Sequence, residues 1–135
     1  MPTEPRHATC ACGQLRLTCS GDPVRVSVCH CLDCQRRTGS AFGVQARYPL
    51  EQVAIEGEAR TFTRSSDSGN DVTHRFCATC GATVYWQLQA MPDFVSVAVG
   101  AFADPQFPEP WISVYGIRRH RWVRITPDGP IERLD

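Results

Sequence analysis

No stretch of this 135-residue chain approaches the ~20 consecutive apolar residues that span a bilayer as a helix, so a helical membrane anchor is not expected. The opening segment Met1-Pro2-Thr3-Glu4-Pro5-Arg6-His7 lacks the apolar run of a secretory signal, which predicts a reducing cytoplasm as the working compartment. Charge of one sign is missing too. Lys+Arg and Asp+Glu both number 14, so no polyanion is implied as a partner and nucleic-acid binding is not expected. There is no internal repeat and no linker long enough to divide two domains, so residues 1–135 are expected to form one domain.

Cysteine, in contrast, is plentiful. Seven of the eight cysteines fall into three clusters: Cys10-Ala11-Cys12 before Gly13, Cys29-His30-Cys31-Leu32-Asp33-Cys34, and Cys77-Ala78-Thr79-Cys80 before Gly81. In a reducing compartment such density favours metal over disulfide. The close CxC spacing agrees, because two side chains on one strand face can converge on a single ion. An even total keeps a disulfide framework as the competing reading.

Seven ligands are one short of two closed tetrahedral zinc sites. The count suggests one four-sulfur structural site and one three-sulfur site with an open position. Cys77-x-x-Cys80-Gly has the shape of a zinc knuckle, and Cys10-x-Cys12-Gly is the matching half, so Cys10, Cys12, Cys77 and Cys80 are assigned to the closed site. A pairing of the middle cluster with Cys10 and Cys12, leaving Cys77 and Cys80 as a redox pair, stays open. Cys29, Cys31 and Cys34 lie close enough to share a second ion, leaving its fourth position to water, a thiol or a carbonyl oxygen. Two Zn²⁺ held by seven thiolates would add about three negative charges to the formal balance.

His30, flanked by two of these cysteines, reads as a packed or outer-shell residue near the open metal more than as its fourth ligand. Arg36 and Arg37 could form a cationic rim for the carboxylates of an anionic thiol, or simply a solvated helix face, the latter more so for Arg37. Cys19 reads as a packed, strand-borne thiol. Trp86, Trp111 and Trp122 read as core or pocket wall, His74 as a strand-surface residue, and His7 and His120 as solvated surface.

The remaining pattern is strand-rich. Alternation or β-branched runs predict strands over 14–19, 24–28, 60–64, 83–86, 94–99 and 122–125. One short helix is expected over 32–37, stopped near Gly39. The segment 65–70 reads as a mobile hairpin tip, and the proline-rich loop 104–110 as a candidate lid. Together these predict a mainly-β domain with long loops and one short helix.

The ordered elements CxCG, then CHCxxC-Gln35-Arg36-Arg37-Thr38-Gly39, then Arg75-Phe76-CxxCG, with an aromatic-rich tail from Val99 to Trp122, resemble the glutathione-dependent formaldehyde-activating enzyme family. The resemblance covers nearly the whole chain. Gln35 is a departure, since many relatives begin an arginine run at that point. The resemblance implies a β-tent fold like that of Rab-exchange-factor-like zinc proteins. It also implies two zinc ions per chain: a structural one on Cys10, Cys12, Cys77 and Cys80, and a catalytic one on Cys29, Cys31 and Cys34. The implied activity is that of a carbon–sulfur lyase, forming or cleaving S-hydroxymethylglutathione from formaldehyde and glutathione. The competing functions are a non-catalytic zinc-stabilised module that binds thiols or a partner, and a redox sensor that loses zinc on oxidation.

Overall fold

Alternating side chains build most of this protein. The computed structural model describes residues 4–135. Its strands are β1 (Arg6–Thr9), β2 (Arg16–Cys19), β3 (Arg25–Cys29), β4 (Gly43–Pro49), β5 (Val53–Glu56), β6 (Ala59–Ser65), β7 (Asp71–Cys77), β8 (Thr83–Leu88), β9 (Phe94–Ala98), β10 (Ile112–Val114) and β11 (Glu132–Arg133), with one helix, α1 (Leu32–Thr38). A small antiparallel sheet runs β1-β2-β5. The large sheet runs β11-β10-β3-β4-β9-β8-β7-β6, antiparallel except where β10 lies parallel to β3 and β11. Among the described residues no helix is long and apolar enough to cross a membrane.

The period of two gives the large sheet two distinct faces. On one face Val26 stands opposite Ala46, Ala46 opposite Val97, and Tyr48 opposite Val95. All five are essentially fully buried, packed with Ala8, Leu15 and Leu17 of the small-sheet layer. Burial of this kind contributes on the order of 1.5–3 kcal/mol per large apolar side chain. The other face carries Arg25, Ser27 and Cys29 on β3, and Gln45 and Arg47 on β4. It is polar because it faces a cavity.

Local sequence explains the joints. Gly57, between β5 and β6, has φ +100°, and a Cβ there would lie 2.1 Å from the Gln14 carbonyl oxygen. Only glycine fits both the backbone and the space. This close approach brings the loop after the first cysteine pair against β6. Gln14 then donates from Nε2 to the Glu58 carbonyl at 2.6 Å, and its Oε1 accepts from Glu58 N–H at 2.9 Å.

The strands expected at 14–19, 24–28, 60–64, 83–86 and 94–99 all coincide with observed ones, and α1 runs one residue beyond the expected helix to its cap at Gly39. The segment 122–125 is not a strand. Arg119 donates there to the carbonyls of His120, Arg121 and Val123, at 3.3, 3.4 and 2.6 Å. Arginine takes the acceptors that a neighbouring strand would have used. Trp122 and Trp111 are correspondingly exposed, at 69% and 43%, instead of core, whereas Trp86 is buried.

Candidate functional site

Two turns bring the first and third cysteine clusters together. The Sγ atoms of Cys10, Cys12, Cys77 and Cys80 all lie within 4.8 Å of one another. Cys12 Sγ is 3.6 Å from both Cys10 Sγ and Cys77 Sγ. Sulfurs at 2.3 Å from a tetrahedral centre sit ~3.8 Å apart, so the spacing suits one shared ion. The donors around them suit thiolates. Cys77 Sγ accepts from the backbone N–H of Thr79 and Cys80, both at 3.3 Å, and from Gln14 Nε2 at 3.1 Å. Leu15 N–H donates to Cys10 Sγ at 3.3 Å. The pairing of the middle cluster with Cys10 and Cys12 is not formed.

Cys29, Cys31 and Cys34 form the second group, also within 4.8 Å of one another and all buried. Cys29 ends β3, while Cys31 caps α1 and accepts the Cys34 N–H at Sγ, 3.3 Å away. Hydrogen bonding among the three pulls the Cys31 thiol well below its ordinary pKa and pushes Cys29 well above it. Without an ion, the cluster cannot shed all its protons. A metal that binds deprotonated sulfur removes that conflict, so the residues fit a metal with one free position.

The packing over this cluster is specialised. Gly43 stands opposite Cys29 across the β3–β4 pair. A Cβ at Gly43 would meet Arg37 at 2.5 Å and Cys34 Cβ at 3.5 Å, so glycine lets α1 lie down on the sheet. Tyr115 packs against the three cysteines in a left-handed backbone conformation, φ 56° and ψ 41°. That conformation is costly for a bulky residue, and such strain gathers at functional sites.

A cavity of about 210 Å³ opens above the cluster. Cys29, Cys31 and Cys34 lie at one end, and its walls include Trp86, Tyr115, Gln45 and the cations Arg25, Arg47 and Arg64. The tip of the β6–β7 hairpin, through Ser66, Asp67 and Ser68, overhangs it. The loop 104–110 does not border this cavity. Phe107 instead stacks on Phe102 at 4.4 Å in the core, so the hairpin tip holds the lid position.

The other expected site residues are placed as follows. Arg36 is exposed, lies 3.7 Å from Asp33, and does not line the cavity. Arg37 turns inward. Its guanidinium sits 4.0 Å above the Trp86 ring, and burial lowers its pKa despite the pull of nearby Cys34. Arg37, expected more than Arg36 as a solvated face, is thus the arginine held beside the cysteines. His30 is fully buried, faces away from the cavity, and its Nε2 is 3.1 Å from Ser113 Oγ. Cys19 is buried, and its thiol is pushed up to about 12 by desolvation. His7 and His120 are exposed.

The cavity cations Arg25, Arg47 and Arg64 were not singled out from sequence. One signal was available: Arg25, Ser27 and Cys29 share parity on β3, so whatever faces the cysteines also faces those two.

His74 is buried, not on the surface. It packs against Trp86 at 5.8 Å, and Arg64 Nε donates to its Nε2 at 3.3 Å. Desolvation, then Arg64 and Arg37, lower its pKa to about 4. The unfolded chain, titrating near 6.5, therefore binds a proton that the native protein refuses between pH 6.5 and 4. Stability is present above that window and lost as pH falls through it, by about 2–3 kcal/mol from this residue. Urea unfolding at pH 7 and pH 4.5 should show the fall in wild type and a smaller one in His74→Gln. Equal falls in both would exclude His74 as a source.

The family description "glutathione-dependent formaldehyde-activating enzyme" matches residues 5–118, a span that contains both sulfur clusters. The chain belongs to that family. No curated protein matches it. Among solved structures it is similar to a Rhodobacter sphaeroides protein, with 22% identity and a TM-score of 0.56, over 70% of this chain and 85% of that one. At that identity the likeness concerns the fold alone. Membership in the formaldehyde-activating family accords with the two cysteine groups that could hold metal ions.

Proposed function

We propose that this protein is a carbon–sulfur lyase that forms or cleaves S-hydroxymethyl adducts of a glutathione-like thiol, in the cytoplasm, with two zinc ions per chain. The observation that carries the reading is the buried Cys29–Cys31–Cys34 triad at the end of a cavity. Cys10, Cys12, Cys77 and Cys80 would hold the structural ion, and the triad the catalytic one. Zinc on the triad would supply a fourth position at which a thiol loses its proton.

The chain's own groups then have definable tasks. Three thiolates exceed a dication by one charge, and Arg37, held against Trp86 beside Cys34, offsets that excess. The Cys34 N–H steadies Cys31 Sγ at the start of α1, where the helix end favours negative charge. Trp86, Leu88 and Tyr115 give the cavity an apolar wall. In the forward direction a C–S bond forms between the thiol sulfur and the aldehyde carbon, and the former carbonyl oxygen gains a proton. Burial raises the Tyr115 pKa, which keeps its phenol protonated beside the cluster and able to donate to that oxygen. The chain has no lysine, so no side-chain amine competes for the aldehyde.

NMR exchange spectroscopy on formaldehyde and glutathione at equilibrium tests the reading. The zinc-loaded protein should accelerate exchange between free glutathione and its hydroxymethyl adduct beyond the spontaneous rate. No acceleration with two zinc ions bound would remove this substrate pair and favour a thiol-binding module.

A further inference from the structure

Arg25 and Arg47 stand directly opposite each other across the antiparallel β3–β4 pair, and both line the cavity. Like charges in that relation repel. Among the described residues neither guanidinium has an ion pair or a hydrogen bond, and Arg25 Nε is buried without a partner. The acids on the cavity wall do not answer them. Asp33 is engaged by Arg64 at 3.0 Å and Arg36 at 3.7 Å, while Asp67 pairs with neither arginine. Desolvation, and then Arg25, lower the pKa of Arg47. Two forked cations held together in a half-buried cavity without an anion describe a site for one.

The rows between them and the cysteines add detail. Along this face the opposed pairs run Cys29–Gly43, Ser27–Gln45 and Arg25–Arg47. Gln45 Oε1 is buried and accepts no hydrogen bond, leaving an acceptor suited to an amide N–H. Each row advances two residues, so the Arg25 Cα lies ~13 Å from that of Cys29.

We propose that Arg25 and Arg47 bind the carboxylate of an extended thiol peptide whose sulfur lies at the triad and whose amide N–H meets Gln45. This rests on the triad as the point of thiol capture.

Binding of S-methylglutathione, which keeps the carboxylates and amides but has no free thiol, tests the arginines in the metal-loaded protein. Calorimetry should show affinity about tenfold or more weaker in Arg25→Gln and in Arg47→Gln, the loss of a charge-assisted contact. Both variants should melt at or above the wild-type temperature without ligand, since each removes a repulsion. Affinity within twofold of wild type in both variants, or no binding by wild type, overturns the proposal. A separate arm uses 2-mercaptoethanol with the cobalt-substituted protein, where an increase in thiolate-to-cobalt absorption above that of the protein's own cysteine ligands reports capture at the triad. If that increase fails to appear in wild type, thiol capture is wrong, and the arginine site stands or falls on the S-methylglutathione result alone.

Discussion

Cys77→Ala is expected to cost the protein its fold. The residue is 1% exposed and sits inside the main core cluster with Cys10. The sulfur group it belongs to ties the turn after β1 to the turn between β7 and β8, a link across 65 residues between Cys12 and Cys77. Closing so long a loop removes much chain entropy from the unfolded state. A structural zinc typically contributes ~10 kcal/mol or more of apparent binding free energy. Whole domains are stable by only about 5–15 kcal/mol, so losing that ion removes most of the margin. Metal analysis should find one zinc fewer per chain, and the cooperative thermal transition should vanish or fall by tens of degrees. A variant that kept both ions, or melted within a few degrees of wild type, would show that these four sulfurs are not a structural centre.

Cys31→Ala should have the opposite profile: a folded protein without activity. The triad packs with Val114 and Tyr115 in a cluster separate from the main core. Removing one sulfur breaks the ion's hold but leaves the β3–β4–β9 packing untouched. It also deletes the acceptor for the Cys34 N–H at the start of α1, a cost of about 1 kcal/mol. One zinc should be lost while the main thermal transition persists. Formaldehyde–glutathione exchange should fall by about a hundredfold or more, as when a metal's charge stabilisation is removed. Full exchange in this variant would end the proposed mechanism. The pair of variants separates the two metal roles, since one should lose structure and the other only chemistry.

The contrast has a source in chain geometry. Cys29, Cys31 and Cys34 are within six positions, so a strand end and one helical turn suffice to gather them. The first and third clusters are distant in sequence, but each is a tight turn whose partner could be matched by its spacing. The same holds for α1, whose start at the second cluster and stop at Gly39 are local signals. Strands β3 and β6 carry their alternation, and β8 and β9 their β-branched or aromatic runs, in four to six consecutive residues. All of these are short-range properties, and the amino-acid order displays them directly.

Other features depend on register, which no short window contains. Nothing near Arg25 indicates that Arg47 will face it, because the pairing of β3 with β4 is set by how Val26, Ala46 and Tyr48 fit the core on the opposite face. His74 looks like a surface residue beside Arg75 until β6 and β8 enclose it between Arg64 and Trp86. The segment 122–125 has strand-like composition, yet Arg119 satisfies carbonyls that a sheet neighbour would otherwise need. Likewise, loop 104–110 reads as the candidate lid and segment 65–70 only as a mobile hairpin tip. Phe107 fits the core and ties the first down, and the β6–β7 pairing carries the second over the cavity. The sequence by itself determined the family, the mainly-β architecture and the two sulfur groups, because ligand spacing and alternation are local. Only the tertiary structure decided that Arg47 and Arg64 join Arg25 on the face of the triad, because cross-strand pairing and burial are products of the whole core.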